Sequence, residues 1–157
     1  MVRAMFVVCI LGCGQGQRPA GPAAPLPGAL ACELKLRDTG ARIGLSFALV
    51  NRAASAATVH YFHPFLQFDL QATAAGHALR VVQPDVDRPA QLRELAITAG
   101  GSAELATPVS LRFASDAPAT AGSMVWTIDS PPTSIDLAAT LRFEGESLPP
   151  CGARLAR

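Results

Sequence analysis

The chain reads as an all-β protein, a sandwich or barrel of about eight or nine short strands. Three observations predict this class. From Ala31 onward apolar residues recur with a period of two. Gly, Pro and Asp turn signals interrupt them every 8–12 residues or so. No stretch keeps the 3.6-residue spacing that an amphipathic helix needs. The length of 157 residues, 50% apolar, is enough for one domain with a substantial core.

Taken in order, Cys32, Leu34 and Leu36 alternate with Glu33, Lys35 and Arg37, a strand with one wet face. Asp38-Thr39-Gly40 is a turn, and Ile43, Leu45, Phe47 and Leu49 carry a second strand that ends at Asn51, so the two form a hairpin. Thr58 to Phe62 is the third strand. Leu66 to Gln71 is the fourth, with Leu66, Phe68 and Leu70 inward. Gly76 turns the chain into Ala78–Val82, and Pro84 and Pro89 bound an irregular loop containing Asp85 and Asp87. Leu92–Thr98 and Ala103–Leu105 flank the Gly100-Gly101 turn signal, and Val109, Leu111 and Phe113 alternate again. After a loop from Asp116 to Gly122, Met124–Ile128 and Ile135–Phe143 are strands, and Pro149-Pro150 end regular structure. Trp126, the only tryptophan, lies mid-strand and reads as a core plug.

The N-terminus carries a different signal. Arg3 precedes an apolar run from Met5 to Leu11, and the run closes with Ile10-Leu11-Gly12-Cys13. This tetrad resembles the lipobox of bacterial lipoproteins. The resemblance implies export, a signal peptide over 1–12, and a lipid on Cys13 that anchors the protein to a membrane of the cell envelope, facing the periplasm. Gly14 follows where many inner-membrane lipoproteins have Asp, which implies the outer membrane. The apolar run is far short of the 20 or so residues that span a bilayer. Residues 14–29 (GQGQRPAGPAAPLPGA) form a spacer too poor in large apolar side chains to fold. Their glycines neither follow a strand within a domain nor open a helix, so they are not a phosphate loop. Residues 30–157 are left as the β domain.

Lipobox processing also bears on the four cysteines. Removing 1–12 deletes Cys9, and the lipid occupies Cys13. Cys32 and Cys151 remain, one at each end of the domain, where an oxidising compartment favours a disulfide. Closing a loop of about 120 residues stabilises a fold by about 4–5 kcal/mol in chain-entropy models. Two separate buried thiols are the alternative.

A second resemblance lies between residues 43 and 113. The way-points Val50-Asn51-Arg52, Phe68-Asp69-Leu70, Thr98–Leu105 (TAGGSAEL) and Pro108–Phe113 (PVSLRF) look like those of bacterial immunoglobulin-like sandwich domains. The bacterial intracellular proteinase inhibitor family has similar ones. The resemblance implies an antiparallel immunoglobulin-like β-sandwich. The glycine pair here lacks that family's preceding proline, so inhibition is carried only as a secondary alternative.

Composition narrows the function. With 13 basic and 12 acidic residues and a net charge of +1, the arginines scattered singly, the chain has no field to gather nucleic acid. His60 and His63 stand three apart, which on a strand points them to opposite faces, and His77 lies beside Gly76 in a turn. No G-x-S-x-G elbow is present, and the acids Asp85, Asp87, Glu144 and Glu146 lie in loops or at strand ends. The reading is a non-catalytic envelope lipoprotein, without cofactor, that binds or braces another envelope protein. Its alternative is a metal-binding protein or hydrolase using His60, His63 and His77. The contact candidates are His63 and Phe65, from the dense aromatic set His60–Phe65, together with Asp85 and Asp87.

Overall fold

Alternation in the first two apolar runs produces the longest ladder of the molecule. β1 (Leu30–Asp38) and β2 (Ile43–Asn51) pair antiparallel over their whole length, from Leu30 opposite Asn51 to Asp38 opposite Ile43. The computed structural model describes residues 28–38, 42–84, 89–105, 107, 109–115, 124–129, 134–143 and 145–156, and among these it contains thirteen strands and no helix. Cys13, Asp85 and Asp87 lie outside the described residues.

The other edge of β2 is covered by β8 (Ser102–Leu105) at one end and β9 (Ser110–Phe113) at the other. β9 continues to β10 (Val125–Ile128), and β10 to the short β6 (Val81–Val82). A second sheet is built on β11 (Ile135–Phe143), with β4 (Phe68–Ala74) on one edge. The edge opposite β4 takes β13 (Cys151–Leu155) and β12 (Glu146–Ser147). β4 turns into β5 (His77–Leu79) through Ala75 and Gly76, both at positive φ (48° and 80°), the signature of a two-residue type I′ hairpin loop. The third sheet is a two-stranded ribbon of β3 (Ala57–His63) and β7 (Gln91–Ile97).

Aromatic side chains hold the sheets face to face. Phe68 of β4 lies 4.8 Å from Phe47 of β2 and 4.8 Å from Trp126 of β10, measured between ring centroids. Phe65 stacks on Phe143 of β11 at 5.2 Å and meets Tyr61 of β3 edge-on. Phe47 and Phe65 are fully buried, and aliphatic residues such as Leu49, Leu111, Ile128 and Leu141 fill the space around them. The Cys32–Cys151 disulfide joins β1 to β13, with Cα atoms 5.5 Å apart across 119 residues, and so closes the domain at its two ends.

A buried corner stitches the first sheet to the ribbon. β2 runs into β3, and their respective partners β8 and β7 are themselves joined through Gly100 and Gly101. Asn51 is the only fully buried polar side chain among the described residues, and it is well satisfied. Its amide Nδ2 donates to the carbonyls of Ser55 (2.8 Å) and Thr98 (3.2 Å), and Oδ1 accepts from the Ala53 amide at 3.0 Å. The backbone adds bonds from Asn51 N to Gly101 O and from Gly100 N to Ala53 O. Gly101 has little alternative, because a Cβ there would come within 2.2 Å of the Thr98 hydroxyl.

The architecture departs from the sequence-based expectation in three places. β9 and β10 pair in parallel, so the all-β fold is not wholly antiparallel. The residues between Phe113 and Val125 approach the dozen or so that a parallel crossover requires. The expected Ala78–Val82 strand is divided at Arg80, with β5 pairing in one sheet and β6 in another. Finally, Pro149-Pro150 do not end regular structure: β13 follows them and pairs with β11 from Ile135 to Ala139. The division at Arg80, the added β13 and the short β12 all increase the number expected, and the described residues form thirteen strands.

Candidate functional site

The ribbon is where period-two alternation places large side chains in water. Ala57, Val59 and Tyr61 of β3 face the core, which turns Thr58, His60 and Phe62 outward. Their partners on β7 are Ala96, Glu94 and Leu92, all exposed. The outward face is thus a row of cross-strand pairs, with Phe62 opposite Leu92 and His60 opposite Glu94. His60 Nε2 lies 3.7 Å from the Glu94 carboxylate, both side chains being well exposed. Phe62 is 40% and Leu92 56% exposed, and with Val82 they are the large apolar side chains left in solvent among the described residues.

Phe65, a contact candidate from the sequence, is not available for contact. Its ring is fully buried among Tyr61, Phe47, Phe68 and Phe143. Phe65 keeps the inward parity of Val59 and Tyr61, and the His63–Pro64 peptide before it is cis. The exposed aromatic of the set is Phe62. His63 is half-buried on the opposite face of β3 from His60, and its Nδ1 is enclosed without a hydrogen-bond partner. His77 opens β5, in another sheet. The three histidines are therefore not brought together, and among the described residues no three His, Cys, Asp or Glu side chains are placed to share a metal ion.

A recess of about 190 Å³ lies alongside β3. His60, Tyr61 and Phe62 form one wall. Gln67, before β4, and Arg142 and Phe143, at the end of β11, form the other, with Gly145 at the rim. No β7 residue lines it, so it sits beyond the edge of β3 that carries no ladder partner among the described residues. Gly145 adopts a φ of 95°, which lets the chain turn sharply from β11 into β12. Arg142 is held from outside: its guanidinium donates to the Asp69 carboxylate, and this bond and the adjacent negative charge raise its pKa further above an already high value. The Arg142 amide donates to the Gln67 carbonyl at 2.8 Å, which places the Gln67 side chain at the recess. Gln67 Oε1 is enclosed and accepts no hydrogen bond.

Elsewhere on the surface Lys35 pairs with Glu104 at 3.0 Å and Arg154 with Asp136 at 3.5 Å. Exposed pairs of this kind contribute little to stability. Leu92, Gln67 and Arg142 were not singled out by sequence reasoning. Alternation from Val59 and Tyr61 places Phe62 outward, and alternation from Leu95 and Ile97 does the same for Leu92, which stands three residues before Leu95. No protein-family model matches the chain, and no curated protein matches it.

Proposed function

We propose that this chain is a non-catalytic lipoprotein of the cell envelope, whose immunoglobulin-like sandwich binds or braces another envelope protein through the outward face of the β3–β7 ribbon. The observation that carries the reading is the exposed Phe62–Leu92 pair. Aromatic and aliphatic side chains set on a rigid ladder and left in water are the usual anchors of a protein interface. A lipid on Cys13 and the spacer over 14–29 would hold that face away from a membrane, most simply the outer one. The Cys32–Cys151 disulfide suits an oxidising compartment such as the periplasm. The three histidines lie on different faces and sheets, so no shared metal enters the reading.

The test is a photo-crosslinking amino acid placed at Phe62 or Leu92 in living cells, with Gln71 as control. A discrete adduct with one envelope protein is expected from the first two positions and not from Gln71. Absence of an adduct from either ribbon position would contradict the proposal. So would hydrolytic turnover that disappears when His60, His63 or His77 is replaced.

A further inference from the structure

The ribbon ends at β7, and the edge of β7 that faces away from β3 carries no ladder partner among the described residues. We propose that a second copy of the chain pairs there, β7 antiparallel to β7, about a twofold axis that sets Leu92 opposite Leu92 of the second copy. The two ribbons then form one four-stranded sheet with both outward faces on the same side. This goes beyond the proposed function and does not depend on the envelope protein invoked there.

Three observations select the occupant and its register. The first is access. Gln91, Leu92, Arg93 and Glu94 are exposed in unbroken succession. Successive residues of a strand point to opposite faces, so this half of β7 stands clear of the body on both, and another strand can lie along it. The second is extent. Pro89 lacks an amide hydrogen and stops a ladder at one end. At the other end Leu95 packs against the core, and Ile97 is buried with its carbonyl accepting from Asn51 Nδ2 at 3.4 Å. The free segment is therefore Ala90–Glu94, and Leu92 is its midpoint. Two such segments overlap fully in antiparallel pairing only when centred on Leu92. The third is charge. An antiparallel pair centred on Arg93 or on Glu94 sets like charges directly opposite each other, and a parallel in-register pair does so at both. Centred on Leu92, Arg93 instead faces Gln91 of the second copy, whose side-chain carbonyl accepts from the guanidinium, and Glu94 faces Ala90. The twofold makes each of these contacts twice. On the outward face Phe62 is the cross-strand partner of Leu92, so two copies join their Phe62–Leu92 pairs into one apolar row. Leu92, at 56% the most exposed large apolar side chain among the described residues, becomes the centre of the contact. Charges on an edge strand ordinarily keep other strands away. Here the chain's own segment supplies the complement to those charges, which an unrelated strand does not.

The test is sedimentation of the purified full chain over a range of concentrations, in detergent kept below one chain per micelle. A concentration-dependent equilibrium between monomer and dimer is expected. Leu92→Lys sets two ammonium groups face to face on the axis and should weaken the dimer by at least about tenfold. Gln91→Arg opposes Arg93 of the other copy twice over and should also weaken it. Adding Arg93→Gln to that variant exchanges the two residues, restores the facing pairs and should return the parent's affinity. All these positions are exposed, so the unfolding midpoint should stay that of the parent throughout. A photo-crosslinker at Leu92 in the same purified chain should give an adduct of twice the chain mass, and one at Gln71 should give none. A chain that stays monomeric up to about 100 µM would overturn the dimer. So would a dimer indifferent to Leu92→Lys, or a double variant that does not recover. The envelope-protein adduct is read separately in cells: its loss with the dimer intact removes the proposed function alone, and loss of the dimer with that adduct intact removes this inference alone.

Discussion

Two consecutive strands, β2 and β3, meet at the Asn51 corner and use the same alternation to opposite ends. β2 has a neighbour on each edge, and the residues on its other face are Gly44, Ser46, Ala48 and Val50, of which Ala48 is buried and the rest half-buried. Among the described residues β3 has β7 alone, and it turns His60 and Phe62 into solvent opposite Glu94 and Leu92. Where a strand is laddered on both sides, small residues on its outer face suffice, because inward Leu45, Phe47 and Leu49 supply the burial. On the half-paired ribbon the large outward side chains add little to burial, so stability does not account for them. The comparison separates side chains that hold the domain together from side chains available to another molecule.

The comparison predicts a graded series of stability changes, each read by denaturant unfolding. The largest belongs to the disulfide, which spans 119 residues. Cys32→Ser with Cys151→Ser should cost about 4 kcal/mol, with the β-type circular dichroism retained below the transition. Little or no loss would mean that β1 and β13 are held mainly by their ladders. Next is the corner. Asn51→Leu removes the partner of the Ala53 amide and of the Ser55 and Thr98 carbonyls, and should cost about 2–3 kcal/mol. A neutral outcome would show that water replaces the side chain and that the corner is not a rigid joint. A smaller and opposite effect is expected at the β4–β5 turn. Ala75 sits at a φ of 48°, a region that costs an ordinary residue about 1–2 kcal/mol and asparagine less. Ala75→Asn should therefore raise stability by about 0.5–1 kcal/mol. The smallest change is expected on the ribbon, where Phe62→Ser or Leu92→Ser should stay within about 0.5 kcal/mol of the parent. A loss comparable to the corner's would place Phe62 with the core.

Much of this architecture was legible beforehand, and the reason is local. β1, β2 and β11 are nine-residue strands with one face on the core, so burial enforces strict alternation. The cysteine pair was legible once Cys9 and Cys13 were assigned to the leader and the lipid. What escaped depends on partners distant in sequence. Nothing in Ala78–Val82 shows that Arg80 divides it between two sheets, or in Cys151–Leu155 that β11 has a free edge to receive it after two prolines. The parallel β9–β10 pairing is a property of topology and not of either strand's pattern. At the candidate site the aromatic set His60–Phe65 was visible, and the period of two running from Val59 and Tyr61 puts Phe62 outward and Phe65 inward, a parity that reading the set as one contact patch did not use. The recess joins Phe62 to Gln67 and Arg142 across 80 residues of chain, a juxtaposition that no local pattern encodes.

The claim that the outward ribbon face serves recognition and not stability is tested most directly in one strain pair. A crosslinker at Leu92 is combined with Phe62→Ser, and adduct yield and unfolding midpoint are measured on the same preparations. The account predicts that the envelope-protein adduct falls by at least about tenfold, as for loss of an interface anchor, while the midpoint stays that of the parent. An unchanged adduct, or an adduct lost only in step with the fold, would contradict it.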